Sequence, residues 1–446
     1  MQDALPASDA VDRARGQGLW GELRRSCRRP PTRYDRRQML VVRMLTLRLA
    51  APVFIAAMLV GPAASTSRPA PAAHQAPLGD PLVVQAGLLR EALETYEQLA
   101  ADRSLPALPP FGAVVHPGER HPGLPALRAH LVRLGDHPPG PSPDAERYDD
   151  ALVEAVRRFQ RRHGLEVDGI IGRATEGALL TPLRARVGQI EAALETIARL
   201  APLAAERVVV VNVPMFQLWA WDYRRPGGGP AVASRVIVGT TATPTPSFDA
   251  AFQEVIFRPE WNVPASIVRN EIVPRLARDP DYLRRSGLQI VSRGGSGSSS
   301  QQVTPDTLAR LRAGTIGMRQ PPGPSNALGL IKLMAPNPYD VYLHDTPSRA
   351  LFDEPRRAFS HGCIRVAEPA AMARWLLDDE AWTIDRVAAV TAGPSTRSVP
   401  LAEPVALRLV YLLAMVWPDG TVHFAEDLYD RLDGGRDDAG PTGCPA

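Results

Sequence analysis

The sequence predicts a multidomain α+β protein: a helical scaffold, a module of three short helices, then a β-rich domain carrying a long insertion. Three observations support this. The chain has 446 residues, more than one hydrophobic core usually serves. Apolar residues recur at helical spacing through residues 88–200. Beyond Glu206 the texture changes to β-branched and aromatic runs separated by turn residues. With 45% hydrophobic and 22% charged residues, the composition is that of a soluble globular protein.

Residues 1–64 read as a leader. They hold 11 arginines against 5 acidic residues, whereas the remainder holds 40 basic against 43 acidic. Outside its leader the chain is slightly acidic and lacks the electrostatic footprint of a nucleic-acid binder. The uncharged run LAAPVFIAAMLVGPA, residues 49–63, has the length of a signal-peptide core; an Arg-rich stretch precedes it, and Gly61, Ala63 and Ala64 follow. It falls short of the ~20 residues that span a bilayer, but sliding it back across Arg48 to Met44 lengthens it. A cleaved export signal and an uncleaved N-terminal anchor both stay open, and both place the rest of the chain outside the cytoplasm. A start at Met39 or Met44 would shorten the leader. Three cysteines, Cys27, Cys363 and Cys444, are too few for a disulfide framework. Cys363, in a Gly/His-rich motif, reads as a working thiol.

Residues 65–122 begin as a Pro/Ala-rich tether and continue as a scaffold helix with Leu88, Leu89, Ala92, Leu93, Tyr96 and Leu99 at helical spacing; Pro106, Pro109 and Pro110 end it. Residues 123–182 form the three-helix module. Leu127, Leu131 and Leu134 make one apolar stripe and Leu152, Val156 and Phe159 another, before a tight turn at Asp168-Gly169 and a helix starting near Thr175. A linking helix at 183–205 carries Val187, Ile190, Leu194, Ile197 and Leu200 on one face. The β-rich domain, 206–393, contains the strand-like runs RVVVVNVP, FQLWAWD, SRVIVG, FQEVIFRP, LGLIKLMA and YDVYLH, the last closing at His344. Residues 263–328 interrupt these strands with a helical pattern (Ile267, Val268, Ile272, Val273, Leu276) and then GGSGSSS. A long insertion in a sheet domain reads as a lid, with a surface elaboration as the alternative. Residues 394–446 are set apart as a C-terminal segment.

The segment YLHDTPSRALFDEPRRAFSHGCIRV, residues 342–366, places a thiol, two imidazoles and a cation in one short stretch. A neutral imidazole at His344 can take the proton of the Cys363 thiol, and the resulting cation stabilises the thiolate. Gly362 lets backbone pass close to a substrate carbonyl, so local N–H groups can form an oxyanion hole. Arg365 can hold a carboxylate. The same residues also allow a zinc site, His361 and Cys363 completed by His344 and Asp345. A papain-like order is excluded, since there the Cys precedes the His.

These residues resemble the L,D-transpeptidase (YkuD-type) catalytic motif: an upstream His, then Ser-His-Gly-Cys, a hydrophobic residue and Arg. PEWNVPASIVRNEIVPRL, RQPPGPSNALGLIKLMAPN and DGTVHFAEDLYDR resemble the YcbB-like branch of Gram-negative bacteria, so that the likeness spans about residues 206–430. LRAHLVRLGD and ALVEAVRRFQRRHGLEVDGIIGRAT resemble a peptidoglycan-binding domain; a helical spacer is the alternative.

The resemblance implies Cys363 as nucleophile and His344 as base. Asp345 would orient the imidazole through its carbonyl, and His361 and Gly362 would shape the oxyanion side. Arg365, Tyr342, Ser360, Trp261 and Asn262 would lie against substrate. The implied reaction is attack on a tetrapeptide stem, loss of D-Ala and a 3→3 cross-link through a thioester, with no metal or organic cofactor. Implied partners are peptidoglycan stem peptides and glycan, peptidoglycan synthases or carboxypeptidases, and carbapenem-type β-lactams as covalent inhibitors. The implied location is the periplasm. An L,D-carboxypeptidase, a lipoprotein-anchoring transpeptidase and a non-catalytic wall-binding scaffold remain as alternatives.

Overall fold

The computed structural model describes residues 80–105, 107–225, 229–292 and 302–432. The expected export segment, Cys27, Cys444 and the glycine/serine run of the insertion lie outside the described residues.

Helix α1, Pro81–Ala101, starts where the Asp80 side chain accepts a hydrogen bond from the Leu82 N–H at 3.0 Å and Pro81 occupies the first turn. Three short helices follow, α2 Leu124–Arg133, α3 Asp150–Arg162 and α4 Arg173–Leu180. They enclose a core of Leu127, Leu131, Leu152, Val156 and Phe159. The turn between α3 and α4 requires glycine at 169: φ is +78°, and a Cβ would stand 2.9 Å from Val153 Cγ1. Helix α5, Leu183–Arg199, then packs against α1.

The β-rich part opens with β1 Arg207–Asn212, β2 Gln217–Asp222, β3 Val232–Gly239 and β4 Phe248–Phe257. The valine run of β1 is continuous because both of its faces are covered. Val209 and Val211 enter the main sheet core, while Val208 and Val210 meet Leu89 and Ala92 of α1 and Ile190 of α5.

Next comes the insertion: β5 Trp261–Asn262, α6 Ala265–Ile267, a π-helical turn Val268–Ile272, α7 Val273–Arg278, α8 Tyr282–Arg285, β6 Gln289–Ser292, α9 Pro305–Ala313 and β7 Ile316–Gln320. Its three strands pair in the order β5-β7-β6 around a private core that includes Val268, Ile272, Leu276, Leu311 and Met318. It is therefore a folded subdomain. Its two ends are fastened by buried Asn326, whose amide donates to the carbonyls of Pro259, Gln320 and Pro321.

The sheet resumes with β8 Ile331–Met334, β9 Leu343–His344, β10 Ala358–Ser360 and β11 Ile364–Val366. Helices α10 Pro369–Leu377 and α11 Ile384–Ala392 follow, then β12 Arg397–Val410 and a hairpin of β13 Ala414–Val416 with β14 Val422–Phe424. The strand order is β10-β3-β11-β9-β8-β4-β12-β1-β2, and β2 also pairs with β3, closing the hydrogen-bonded circuit.

One sequence expectation is corrected here. Residues 394–446 were set apart as a C-terminal segment and the last strand was expected to end at His344, yet β12 lies between β1 and β4 in the sheet. The pattern was masked by Pro400, Glu403 and Pro404, which sit where the β12–β4 register shifts. Proline lacks the ladder donor, and a bulge tolerates it.

Buried Arg408 on β12 fastens the scaffold to the sheet. It donates to Asp249 (2.7 and 2.8 Å), to Asp80 at the start of α1 (2.9 Å) and to the Ala201 carbonyl (2.8 Å). Removing one partner leaves buried Asp80 uncompensated, so Arg408→Ala is expected to destabilise the fold by about 3–5 kcal/mol, read as a lowered urea midpoint.

Candidate active site

The register of three strands assembles the site. Lys332 of β8 faces His344 of β9, and His344 faces Arg365 of β11. Alternate residues Leu333, Leu343, Ile364 and Val366 point into the main core. Strand alternation therefore puts Lys332, His344 and Arg365 in one row on the opposite face. Cys363, two residues before Arg365, lines the same cleft. That cleft, about 500 Å³, is bounded by Ser360, His361, Cys363, His344 and Arg365 on the sheet side and by Trp261, Glu271, Arg275 and Tyr282 of the insertion.

His344 is buried, and its Nδ1–H donates to the Asp345 carbonyl at 2.5 Å. This leaves Nε2 as the basic nitrogen of a neutral ring. Burial first, then the positive charges of Arg365 and Lys332, push its pKa down to about 3; hydrogen bonding to the carbonyls of Asp345 and Leu328 opposes this only partly. The Asp345 side chain itself accepts from the Leu330 N–H (2.9 Å) and from Arg349 (3.1 Å).

The Cys363 turn is held from inside. Ser360 Oγ donates to the Cys363 carbonyl (2.5 Å) and accepts from the Gly362 N–H (3.1 Å). Ser360, which also lines the cleft, thus holds the Cys363 turn, and the Gly362 amide is engaged within the turn. Gly362 has φ +110°, open to glycine and strained for other residues. The His361 ring leaves the turn and reaches across the cleft, where its Nε2–H donates to Glu271 Oε1 at 2.6 Å.

Arg365 is largely buried. Its Nε has no hydrogen-bond partner among the described residues, which suits it to an incoming carboxylate. Burial lowers its pKa, and the nearby Cys363 opposes that. Tyr342 stacks beneath the Lys332 ammonium (3.8 Å to the ring centre) and, with Asn262, lines a neighbouring cavity of about 300 Å³. Trp261 borders both cavities. Among the described residues no three His, Cys, Asp or Glu side chains converge to hold a metal.

Sequence reasoning missed the support behind the turn. Buried Thr245 donates to the Gly362 carbonyl (2.8 Å) and accepts from the Gly239 N–H (2.9 Å). Tyr429, far along the chain, donates to the Gly239 carbonyl (2.8 Å) and accepts from the Thr245 N–H (3.1 Å). Only the clustering of threonine and proline in GTTATPTPS hinted at a structured loop. Glu271 and Arg275 were missed because they occupy the polar positions of an apolar helical pattern, and Tyr282 because it lies beyond that pattern in a separate short helix.

A thiol, a neutral imidazole of fixed tautomer and a largely buried guanidinium lining one cleft form a constellation suited to nucleophilic acyl chemistry. Comparison with known proteins agrees. Residues 206–391 match the YkuD family, described as "L,D-transpeptidase catalytic domain", and residues 120–179 match a "Putative peptidoglycan binding domain". The chain carries a YkuD L,D-transpeptidase catalytic domain preceded by a peptidoglycan-binding domain. A curated relative from Haemophilus influenzae, named "Putative L,D-transpeptidase", is 31% identical over 221 residues, which cover 50% of this chain and 44% of that protein. The match thus spans less than half of the relative's length. Similar solved structures include an L,D-transpeptidase from Xylanimonas cellulosilytica (17% identity, 68% of this chain and 100% of that one, TM-score 0.21). Another is from Stackebrandtia nassauensis (11% identity, 66% and 94%, TM-score 0.26).

Two expectations follow. Thr245→Val keeps the volume but strands the Gly362 carbonyl and the Gly239 amide, at a cost of about 1–3 kcal/mol; urea unfolding measures it. Because the folded state keeps His344 neutral down to about pH 3, while an unfolded histidine takes its proton near 6.5, the native state weakens as pH falls between these values. His344→Gln removes this contribution. The stability gap between pH 7 and pH 4 should be smaller in the variant than in the wild type.

Proposed function

We propose that this protein forms 3→3 peptidoglycan cross-links outside the cytoplasm, through a thioester on Cys363. The single observation that carries the reading is the shared cleft: Cys363 lies beside Arg365, which is in register with His344, under a folded insertion. As the Cys363 sulfur attacks the carbonyl of the third stem residue, His344 Nε2 takes the thiol proton. Collapse of the adduct breaks the C–N bond to D-Ala, and the proton passes to the departing nitrogen. A diaminopimelate amine of a neighbouring stem then attacks the thioester. Its proton goes to His344 and on to the sulfur as the C–S bond breaks.

The roles of the surrounding groups follow from chemistry. Arg365 meets a stem carboxylate, and the insertion acts as a lid that excludes water, so that an amine prevails over hydrolysis. The three-helix module holds glycan near the cleft. Export by the leader brings the chain to the periplasm, where its substrate lies.

The test incubates protein from about residue 66 onward, wild type and Cys363→Ala, with disaccharide-tetrapeptide, followed by mass spectrometry. Cross-linked dimer lacking one D-Ala, absent with the variant, is expected. A carbapenem is expected to add its mass to wild type alone. Tripeptide without dimer would overturn cross-linking in favour of a carboxypeptidase, and unchanged substrate with folded protein would overturn the enzyme reading.

A further inference from the structure

We propose that Glu271 recognises the attacking amine, binding the ammonium group of the acceptor stem before it reaches the thioester. This rests on the transpeptidase reading above and names the group that selects its second substrate. Among the described residues the cleft wall carries three guanidiniums, Arg275, Arg285 and Arg365, and one carboxylate, Glu271. Guanidiniums suit a donor stem rich in carboxylates but repel a cationic acceptor. Among the described residues lining this cleft, Glu271 alone offers an ammonium an opposite charge.

Its placement is specific. Pro274 has no N–H to donate to the carbonyl four residues back, and the helix widens into the π-turn Val268–Ile272 just before it. Val268 and Ile272 are buried in the insertion core, so the turn leaves Glu271 exposed at the cleft. One carboxylate oxygen accepts from His361 Nε2–H at 2.6 Å. His361 lies two residues before Cys363, so the contact brings the carboxylate within a short span of the nucleophile. Oε2 has no hydrogen bond among the described residues, and the side chain is about half exposed, open to a ligand. The neighbouring arginines are otherwise engaged: Arg285 pairs with Asp279, and Arg275 lies over the Tyr282 ring at 4.1 Å.

In the reaction the bound ammonium gives one proton to water to become the nucleophilic amine. It gives a second through His344 to the sulfur as the amide forms and the C–S bond breaks.

Glu271→Gln separates charge from tether, since a glutamine oxygen still accepts from His361. The experiment uses the full chain with disaccharide-tetrapeptide and follows the acyl-enzyme by intact mass alongside the ratio of dimer to tripeptide. Acyl-enzyme formation in Glu271→Gln should stay within about twofold of wild type, while the dimer-to-tripeptide ratio falls by about tenfold, the scale of one lost charge-assisted contact. Glu271→Asp should recover part of the ratio. An unchanged ratio overturns the proposal, and so does an equal fall in acylation and dimer, which would make Glu271 a tether only. Wild type that forms neither acyl-enzyme nor dimer overturns the transpeptidase reading and this one together; wild-type acylation with an unchanged variant ratio overturns this one alone.

Discussion

Strands β9 and β11 run side by side in the same direction, and a parallel pair cannot be joined by a tight turn. The chain must leave His344, cross over and return before Cys363 can start the neighbouring strand. Residues 345–357 make that crossing, and Arg349 ties its start, at Asp345, to the carbonyl of Ala367 just after β11. His344 and Cys363 therefore line one cleft because of sheet topology, and the crossover preserves the register that sets His344 against Arg365.

That register has an electrostatic consequence. A buried imidazole between Lys332 and Arg365 stays neutral, with its tautomer fixed by the Asp345 carbonyl. Burial keeps it neutral first and the two cations add to this; Arg365 also faces the cleft, where its charge suits an anionic peptide. One arrangement thus sets the protonation state of His344 and the charge of the cleft. Among the described residues the insertion contributes the one carboxylate on the cleft wall, Glu271, and its own hydrophobic core sets that residue's position by packing.

The C-terminal strands hold the molecule together. β12 completes the sheet, Tyr429 supports the loop beneath Gly362, and Phe424 of β14 receives the three-helix module. His163 at the end of α3 stacks on Phe424 at 5.6 Å, and Arg186 of α5 covers the same ring. The Cys363 turn, the sheet and the module therefore share contacts with one C-terminal segment.

Composition and periodicity marked the helices of the scaffold and module, because an apolar stripe at helical spacing has one stable use. The valine run of β1 and the Ser-His-Gly-Cys turn were equally legible, since each depends on local residue type. Glycine at 362 and 169 announced its positive φ for the same reason. Position was another matter. β12 was hidden by prolines that only a sheet bulge accommodates, and Thr245, Glu271 and Tyr429 act on residues up to 190 positions away. The sequence by itself determined the candidate thiol, imidazoles and cation and the local elements, which depend on neighbours a few residues apart. The tertiary structure decided which strand enters the middle of the sheet, which way His361 turns and how His344 is kept neutral, because burial and charge at a point depend on all the chain that passes it.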